Sequence, residues 1–336
     1  MIIKNKIFII AEAGVNHNGS LQNAFKLIDL ASKAGADFIK FQTFDPESLA
    51  NINLGLAKYQ RRSLAQNNHL NMLKKLSLSE KSFKKILLRC KKKKIKFLSS
   101  PFDIKSINLL KKLKVNIFKI PSGQIDDTPY LEHLGSMNKK IFLSTGMSRL
   151  YDIKNALQIL TKNGTSKKNI EILHCVSQYP ADNDSLNLKA IQFIKDKIKL
   201  PVGFSDHSLG FDASLIAIGL GARIIEKHFT LNKNQNGPDH KSSLSPKELI
   251  EFIKKIRQAE KSLGKYLKLP QKEELVNLKF IRKKIVAKKE ILIGDKFTTE
   301  NLITKRSLDG LPASYWKKLI GKKSKKKYKV NQGIRN

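Results

Sequence analysis

The chain has 336 residues, 40% of them apolar; that allows two or three domains, or one barrel of about 250 residues with a small module, and needs no disulfide staples. The formal net charge is +37, but only nine of the 65 basic residues are Arg and the lysines are spread over nearly every segment, which reads as solvated faces and argues against a specific nucleic-acid surface. Two cysteines, Cys90 and Cys175, exclude a disulfide scaffold or a zinc ribbon and fit a reducing cytoplasm, and no stretch approaches the roughly 18 apolar residues of a membrane span.

The first apolar run, Ile7 to Ala11, meets Glu12 too early for a signal peptide and reads as a buried strand. Short apolar, β-branched runs then recur with amphipathic segments between them, and eight strands are expected over 6–14, 37–43, 95–102, 117–123, 140–147, 170–176, 201–207 and 222–229. Capping boxes are expected at Ser77-Leu78-Ser79-Glu80 and at Ser245-Pro246-Lys247-Glu248, the second with Pro at the first helical position. Eight strands, each followed by a helix and too apolar for a half-solvated sheet, point to an α/β fold, a parallel (β/α)8 TIM barrel over 1–264. A doubly wound open sheet is the structural alternative. The helix 245–263 closes the barrel at Gly264. The polar, Lys-rich stretch 265–280 reads as a linker, and 281–336 as a small module with turns at Gly294-Asp295, Asp309-Gly310 and Gln332-Gly333. That module holds the densest charge, over 322–329, and Trp316 is expected to anchor its core.

In such a barrel the active site lies at the carboxyl ends of the strands. Every expected strand ends in polar residues there: Glu12; Lys40 and Gln42; Ser99 and Ser100; Lys119 and Ser122; Ser144 and Thr145; His174; Ser205, Asp206 and His207; Glu226 and His228. Strand alternation puts Lys40 with Gln42, and Glu226 with His228, on inward faces. His207 and His228 end neighbouring strands and could share one divalent metal, with Glu12 or Asp239 near it or its water; the alternative is simple hydrogen bonding at the mouth. Lys40 and Lys119 are costly inside strands unless they meet an anion or a carboxylate. With Ser100, Ser122, Ser144 and Ser205 they form an anion-binding ring, unless they snorkel from the strand ends. Glu12 suits acid, base or hydroxyl-orienting work, or an ion pair with Lys40 or Lys119. Cys175 reads as a core thiol rather than a nucleophile.

The motifs IAEAGVNHNGS, KFQTF, SSPFD, FKIPSG, LSTGM, LHC…YP, GFSDHS, IEKHFT and GPDHKSSL occur in the order found in the sialic acid synthase family, which the chain resembles from about residue 6 onward. AEAGVNHNG, KFQTF and KIPSG look closest to the legionaminic acid synthase branch. The tail, with ENLITKR and a final basic strand, resembles the SAF (type III antifreeze-like) domain that follows the barrel in that family. The resemblance implies a metal-dependent transferase that joins phosphoenolpyruvate to an N-acylated mannosamine-type sugar aldehyde and water, releasing phosphate and a nonulosonic acid. It implies His207 and His228 as ligands of Mn²⁺ or Mg²⁺, and Lys40, Lys119, Ser100, Ser122, Ser144 and Ser205 as the phosphoenolpyruvate site. Glu12, Gln42, Tyr179 and Asp239 would face the sugar. Arg306, from the SAF module of a partner subunit in a domain-swapped homodimer, would touch the N-acyl group. Three departures fall on the sugar side: Gln124 after KIPSG where the family usually has Glu, Val176-Ser177-Gln178 in place of a Thr/Asn-rich stretch, and Ser307-Leu308-Asp309 in place of Pro-x-Asn after Arg306. Two other functions stay open, a metal-free Schiff-base aldolase using Lys119 or Lys40, and a nonenzymatic basic protein gripping nucleic acid or acidic glycans on a degenerate barrel.

Overall fold

The computed structural model describes residues 6–51 and 68–335; residues 1–5 and 336, at the outer ends of the two expected domains, lie outside them. The chain divides into two compact units, Met1–Gly264 and Lys265–Asn336.

In the first unit β1 (Phe8–Gly14), β2 (Phe38–Thr43), β3 (Lys96–Pro101), β4 (Ile117–Ile120), β5 (Lys140–Ser144), β6 (Ile170–Cys175), β7 (Val202–Asp206) and β8 (Ile224–His228) close into a barrel in sequence order. β8 pairs back onto β1 in parallel, with Ile10 opposite Glu226 and Glu12 opposite His228, which excludes the open sheet.

Successive strand residues alternate faces, and this divides the chemistry of each strand. Ile9, Ile39, Phe118, Ile141, Ile172 and Phe204 pack in the layer between strands and helices. Ile10, Phe38, Leu98, Phe142, Leu173 and Ile224 form a separate apolar layer inside the barrel. Two residues further along those same strands stand Glu12, Lys40, Ser100, Ser144, Cys175 and Glu226. The barrel is therefore plugged with hydrocarbon and topped with polar groups. Gly203 makes room for the plug, since a Cβ there would stand 2.5 Å from Leu173 Cδ2 and 2.6 Å from the Ile224 carbonyl oxygen.

Several strands stop earlier than the apolar runs suggest. β4 ends before Pro121, which has no N–H for the ladder, so Ser122 lies in the 3-10 turn Ser122–Gln124. β5 ends at Ser144, and Met147 turns the chain at φ +62°. His207 sits one residue beyond β7.

The second capping box forms as expected at the helix Pro246–Leu263: Ser245 N–H donates to the Glu248 carboxylate at 2.6 Å, and Glu248 N–H to the Ser245 hydroxyl at 3.4 Å. The first is corrected. Ser77 ends the helix His69–Leu76, and it is the Ser79 hydroxyl that receives the Ser82 N–H at the start of the helix Glu80–Lys92. On the outer face of the barrel, Lys227 pairs with Asp206 at 2.9 Å across the β7–β8 register, and Ser208 and Ser214 hydroxyls donate to the same carboxylate. These buried charges are thus paired and hydrogen-bonded.

The second unit carries the antiparallel pair β9 (Lys283–Ala287) and β10 (Leu302–Arg306) on its own core of Ile285, Ile291, Phe297, Leu302 and Tyr328, with Trp316 half-buried against it. Two expectations change here. The stretch read as a linker contains a helix, Lys272–Ile281, started by a reciprocal pairing of Gln271 with Glu274. The final basic segment is not a strand. It meets the rest of the unit through single bridges, such as Ile291 with Tyr328 and Val286 with Gly333, because Gly321 and Asn331 turn it at positive φ. Among the described residues no helix is long and apolar enough to cross a membrane.

Candidate active site

The polar layer lines a cavity of about 510 Å³ at the carboxyl ends of the strands. Every barrel residue expected to act is on its wall: Glu12, Lys40, Gln42, Ser100, Lys119, Ser122, Ser144, Tyr179, Ser205, His207, His228 and Asp239. Other polar strand ends are drawn elsewhere. His174 Nε2 meets the Leu186 carbonyl at 2.8 Å and its ring stacks on Phe204, while Ser99 pairs with the Thr43 hydroxyl at 2.6 Å. Gln124 is not among the lining residues. Its amide donates to the Phe102 carbonyl at 2.5 Å, a bond that an ionised Glu could not make. Arg306 ends β10 in the second unit, exposed and opposite Lys283.

Glu226 is the centre of the cluster, and sequence reasoning had placed it on the inward face without giving it a role. Lys119 Nζ donates to both of its carboxylate oxygens, at 2.8 and 3.1 Å; the Ser205 hydroxyl donates to Oε1 at 2.7 Å; Lys40 Nζ stands 3.4 Å away. Burial alone would raise the Glu226 pKa, but Lys119 and Lys40 hold it far below the usual carboxylate range. Burial also works against the charge on Lys40, and Glu12 with Glu226 outweighs it, so its pKa lies above the ordinary lysine value. Lys119 goes the other way, lowered by burial despite its partner. The lysines therefore do not snorkel. The residues that would signal this in a sequence are a Glu two places before a strand-end His and a Ser in register with it, as Ser205 is with Glu226.

Glu12 is reached through a bulge. The β1–β2 register shifts between Glu12 and Gly14, and Gly14 has φ +51°. A Cβ at Gly14 would stand 3.2 Å from Glu12 Oε1, 3.4 Å from His228 Cε1 and 3.5 Å from Asp239 Oδ2, so three polar side chains converge beside a position whose positive φ favours glycine. Lys40 Nζ lies 3.2 Å from Glu12 Oε2, yet neither Glu12 oxygen has a hydrogen-bond donor. The ion pair anticipated for Glu12 is present but off hydrogen-bonding geometry. Burial pushes the Glu12 pKa up to about 7, against the pull of Lys40, and that of Asp239 up to about 6.

His207 and His228 face each other with ring centroids 5.7 Å apart, and Tyr179 packs on His207 at 4.2 Å. His207 Nδ1 donates to the Val176 carbonyl at 2.6 Å, which leaves the Nε2 lone pair inward. His228 Nδ1 is buried without a hydrogen-bond partner. Burial lowers the pKa of both, to about 4 for His207, so both imidazoles are neutral at neutral pH. Among the described residues no group of three or more His, Cys, Asp or Glu side chains is arranged to hold a metal. The donor set is two neutral imidazoles, one with an orphaned nitrogen, and it fits a divalent ion that takes its other ligands from water or substrate.

The loop that follows Glu12 and the loop that bears Asp239 are tied together. Asn16 Nδ2 donates to the Phe229 carbonyl and the Ser243 hydroxyl at 2.8 and 2.9 Å, and Ser243 donates to the Asp239 carbonyl at 2.6 Å. His240 is buried between Thr230 Oγ1 at 2.7 Å and Asn18 Oδ1 at 3.1 Å.

Residues 27–268 match the NeuB family, and residues 282–336 match the SAF domain. The chain is 48% identical to the N,N'-diacetyllegionaminic acid synthase of Campylobacter jejuni, over 98% of this chain and 99% of that one. It is 40% identical to the protein of the same name from Legionella pneumophila, over 94% and 89%. A solved N-acetylneuraminic acid (sialic acid) synthetase from Leptospira borgpetersenii, in complex with citrate, aligns with a TM-score of 0.73 at 36% identity, over 82% of this chain and 91% of that one.

Glu226→Gln would leave two buried ammonium groups without their shared counter-charge. Unfolding in urea should show a loss of about 3–5 kcal/mol; a variant as stable as the parent would mean that the carboxylate does not hold the cluster together.

Proposed function

The chain belongs to the NeuB family and ends in a SAF domain, and on that premise we propose that it condenses phosphoenolpyruvate with an N-acylated mannosamine-type aldehyde and water, releasing phosphate and a nonulosonic acid. The observation that carries this reading is the pair of buried lysines, Lys40 and Lys119, set among Ser100, Ser122, Ser144 and Ser205 in one cavity. Two ammonium groups and four hydroxyls suit a small polyanion that must shed its water. The names of the relatives favour a diacetylated, legionaminic-type product over others of the class.

The chemistry asks for a bond from C3 of phosphoenolpyruvate to the aldehyde carbon, addition of water at the cationic C2, and cleavage of the carbon–oxygen bond to phosphate. Lys40, Lys119 and the serines would hold the carboxylate and phosphate and offset their charge. Glu12, its pKa pushed up to about 7 by burial, can hold or lose a proton at neutral pH and would orient the incoming water and take its proton. Gln42, Tyr179 and Asp239 would orient the sugar hydroxyls. Mn²⁺ or Mg²⁺ held by His207 and His228 would supply Lewis-acid polarisation of the aldehyde oxygen. A cytoplasmic site of action belongs to the same proposal, in keeping with two unpaired thiols, Cys90 and Cys175.

The test is phosphate release from phosphoenolpyruvate with a panel of N-acetylmannosamine and 2,4-diacetamido-trideoxymannose sugars. Sugar-dependent release is expected, and His228→Ala should lose turnover and bound metal together. Pyruvate turnover without phosphate release, trapped by borohydride and indifferent to EDTA, would overturn the reading in favour of a Schiff-base aldolase.

The proposal extends to a swapped homodimer in which Arg306 of one protomer reaches the N-acyl group bound by the other. Leu275, Val276, Phe280 and Ile281 on the helix Lys272–Ile281 are exposed, as suits a surface that a second copy would cover. Arg306→Ala and Glu12→Gln homodimers should each be nearly inactive, and a coexpressed heterodimer should regain one working site. No recovery in a verified heterodimer would reject the swap.

A further inference from the structure

One side of the cavity carries none of the polar groups used above. Val15, Phe44, Leu49, Met72, Leu73 and Leu76 line it with hydrocarbon and one thioether, and they belong to a contiguous apolar cluster separate from the barrel core. Val15 follows β1 and Phe44 and Leu49 follow β2, while Met72, Leu73 and Leu76 lie on the helix His69–Leu76. The wall is thus mounted beside Glu12 and Gln42, on the sugar side of the proposed site. Across the barrel from it, β4, β5 and β7 bring Lys119, Ser144 and Ser205 to the anion.

We infer that this wall is the element that selects the sugar: it takes the methyl groups of an acylated, deoxygenated aldose and turns away a polyhydroxylated one. Each methyl that leaves water for such a surface strengthens binding about fourfold, the equivalent of about 0.8 kcal/mol. Among the described residues on this side only the His69 ring, at the start of the same helix, offers a hydrogen-bonding group, so a hydroxyl set against the hydrocarbon away from it loses its hydrogen bonds to water. A sugar with two N-acetyl groups and a C6 methyl offers three methyls; N-acetylmannosamine offers one. The inference rests on the reading of the cavity as a phosphoenolpyruvate–sugar site and adds the residues that discriminate between sugars.

The experiment compares the two sugars in the phosphate-release assay, with the full chain and saturating phosphoenolpyruvate. The parent protein should favour 2,4-diacetamido-trideoxymannose over N-acetylmannosamine in kcat/KM by at least about tenfold. Met72→Gln, nearly isosteric but polar, should raise KM for the diacetamido sugar about tenfold while KM for phosphoenolpyruvate stays within about twofold. Met72→Leu should keep the preference. Leu49→Gln gives the same reading from a different segment of the wall if Met72→Gln fails to fold. A parent protein that prefers N-acetylmannosamine, or polar variants that slow both sugars equally, would overturn the inference while phosphate release upheld the reaction. Absence of phosphate release with either sugar would instead remove the reading on which it rests.

Discussion

One buried carboxylate, Glu226, accepts hydrogen bonds from Lys119 at both of its oxygens and from the Ser205 hydroxyl at one of them, with the Lys40 ammonium close by. Lysines inside a barrel are tolerable only with such a partner, because an unpaired buried ammonium would lose its proton or unfold the site. Everything around the cluster follows from keeping it charged and nearly dry. The inward hydrocarbon layer below it excludes water, and the strand register brings Glu12 opposite both Lys40 and His228. Lys40 touches two carboxylates and a serine at once, so moving any one of the charged groups changes the field felt by the others.

The same constraint explains where glycine is favoured. Gly203 lets the hydrocarbon plug close beneath the cluster, and Gly14 bends β1 so that Glu12, His228 and Asp239 face one small space. The clamp of Asn16 to Ser243 and Phe229 then fixes the β1 and β8 loops relative to each other. A site built from preorganised charges needs this rigidity, since its electrostatic effect depends on groups that do not reorganise when the substrate charge changes.

Much of this is legible in the sequence because the side-chain period of a strand is two. Lys40 with Gln42, and Glu226 with His228, could be set on inward faces by counting alone, and the apolar residues two places earlier give the plug. The partners were harder. Which carboxylate meets which lysine depends on the stagger between neighbouring strands, and nothing local in Ser205-Asp206-His207 says that Ser205 faces Glu226 while Asp206 faces Lys227 on the other side. Turn chemistry hid other details: Pro121 takes Ser122 off its strand, and Ser79 outcompetes Ser77 as a cap because it lies next to the first helical residue. The helix Lys272–Ile281 was hidden because it has no buried residue and its apolar residues, Leu275, Val276, Phe280 and Ile281, form no core-facing stripe that a periodicity would show. Gln124 shows the opposite case, a departure that looks like altered sugar contact but serves as a backbone hydrogen bond.

If the cluster is an anion site held ready by Glu226, then its bidentate lysine should matter to phosphoenolpyruvate and not to the sugar. The most direct measurement is calorimetric titration of phosphoenolpyruvate and, separately, of sugar into the parent protein and Lys119→Ala. Loss of one charge-assisted contact should weaken phosphoenolpyruvate binding by about 1.5–3 kcal/mol, on the order of ten- to a hundredfold, with sugar affinity nearly unchanged. Equal phosphoenolpyruvate affinity in the two proteins would contradict the account.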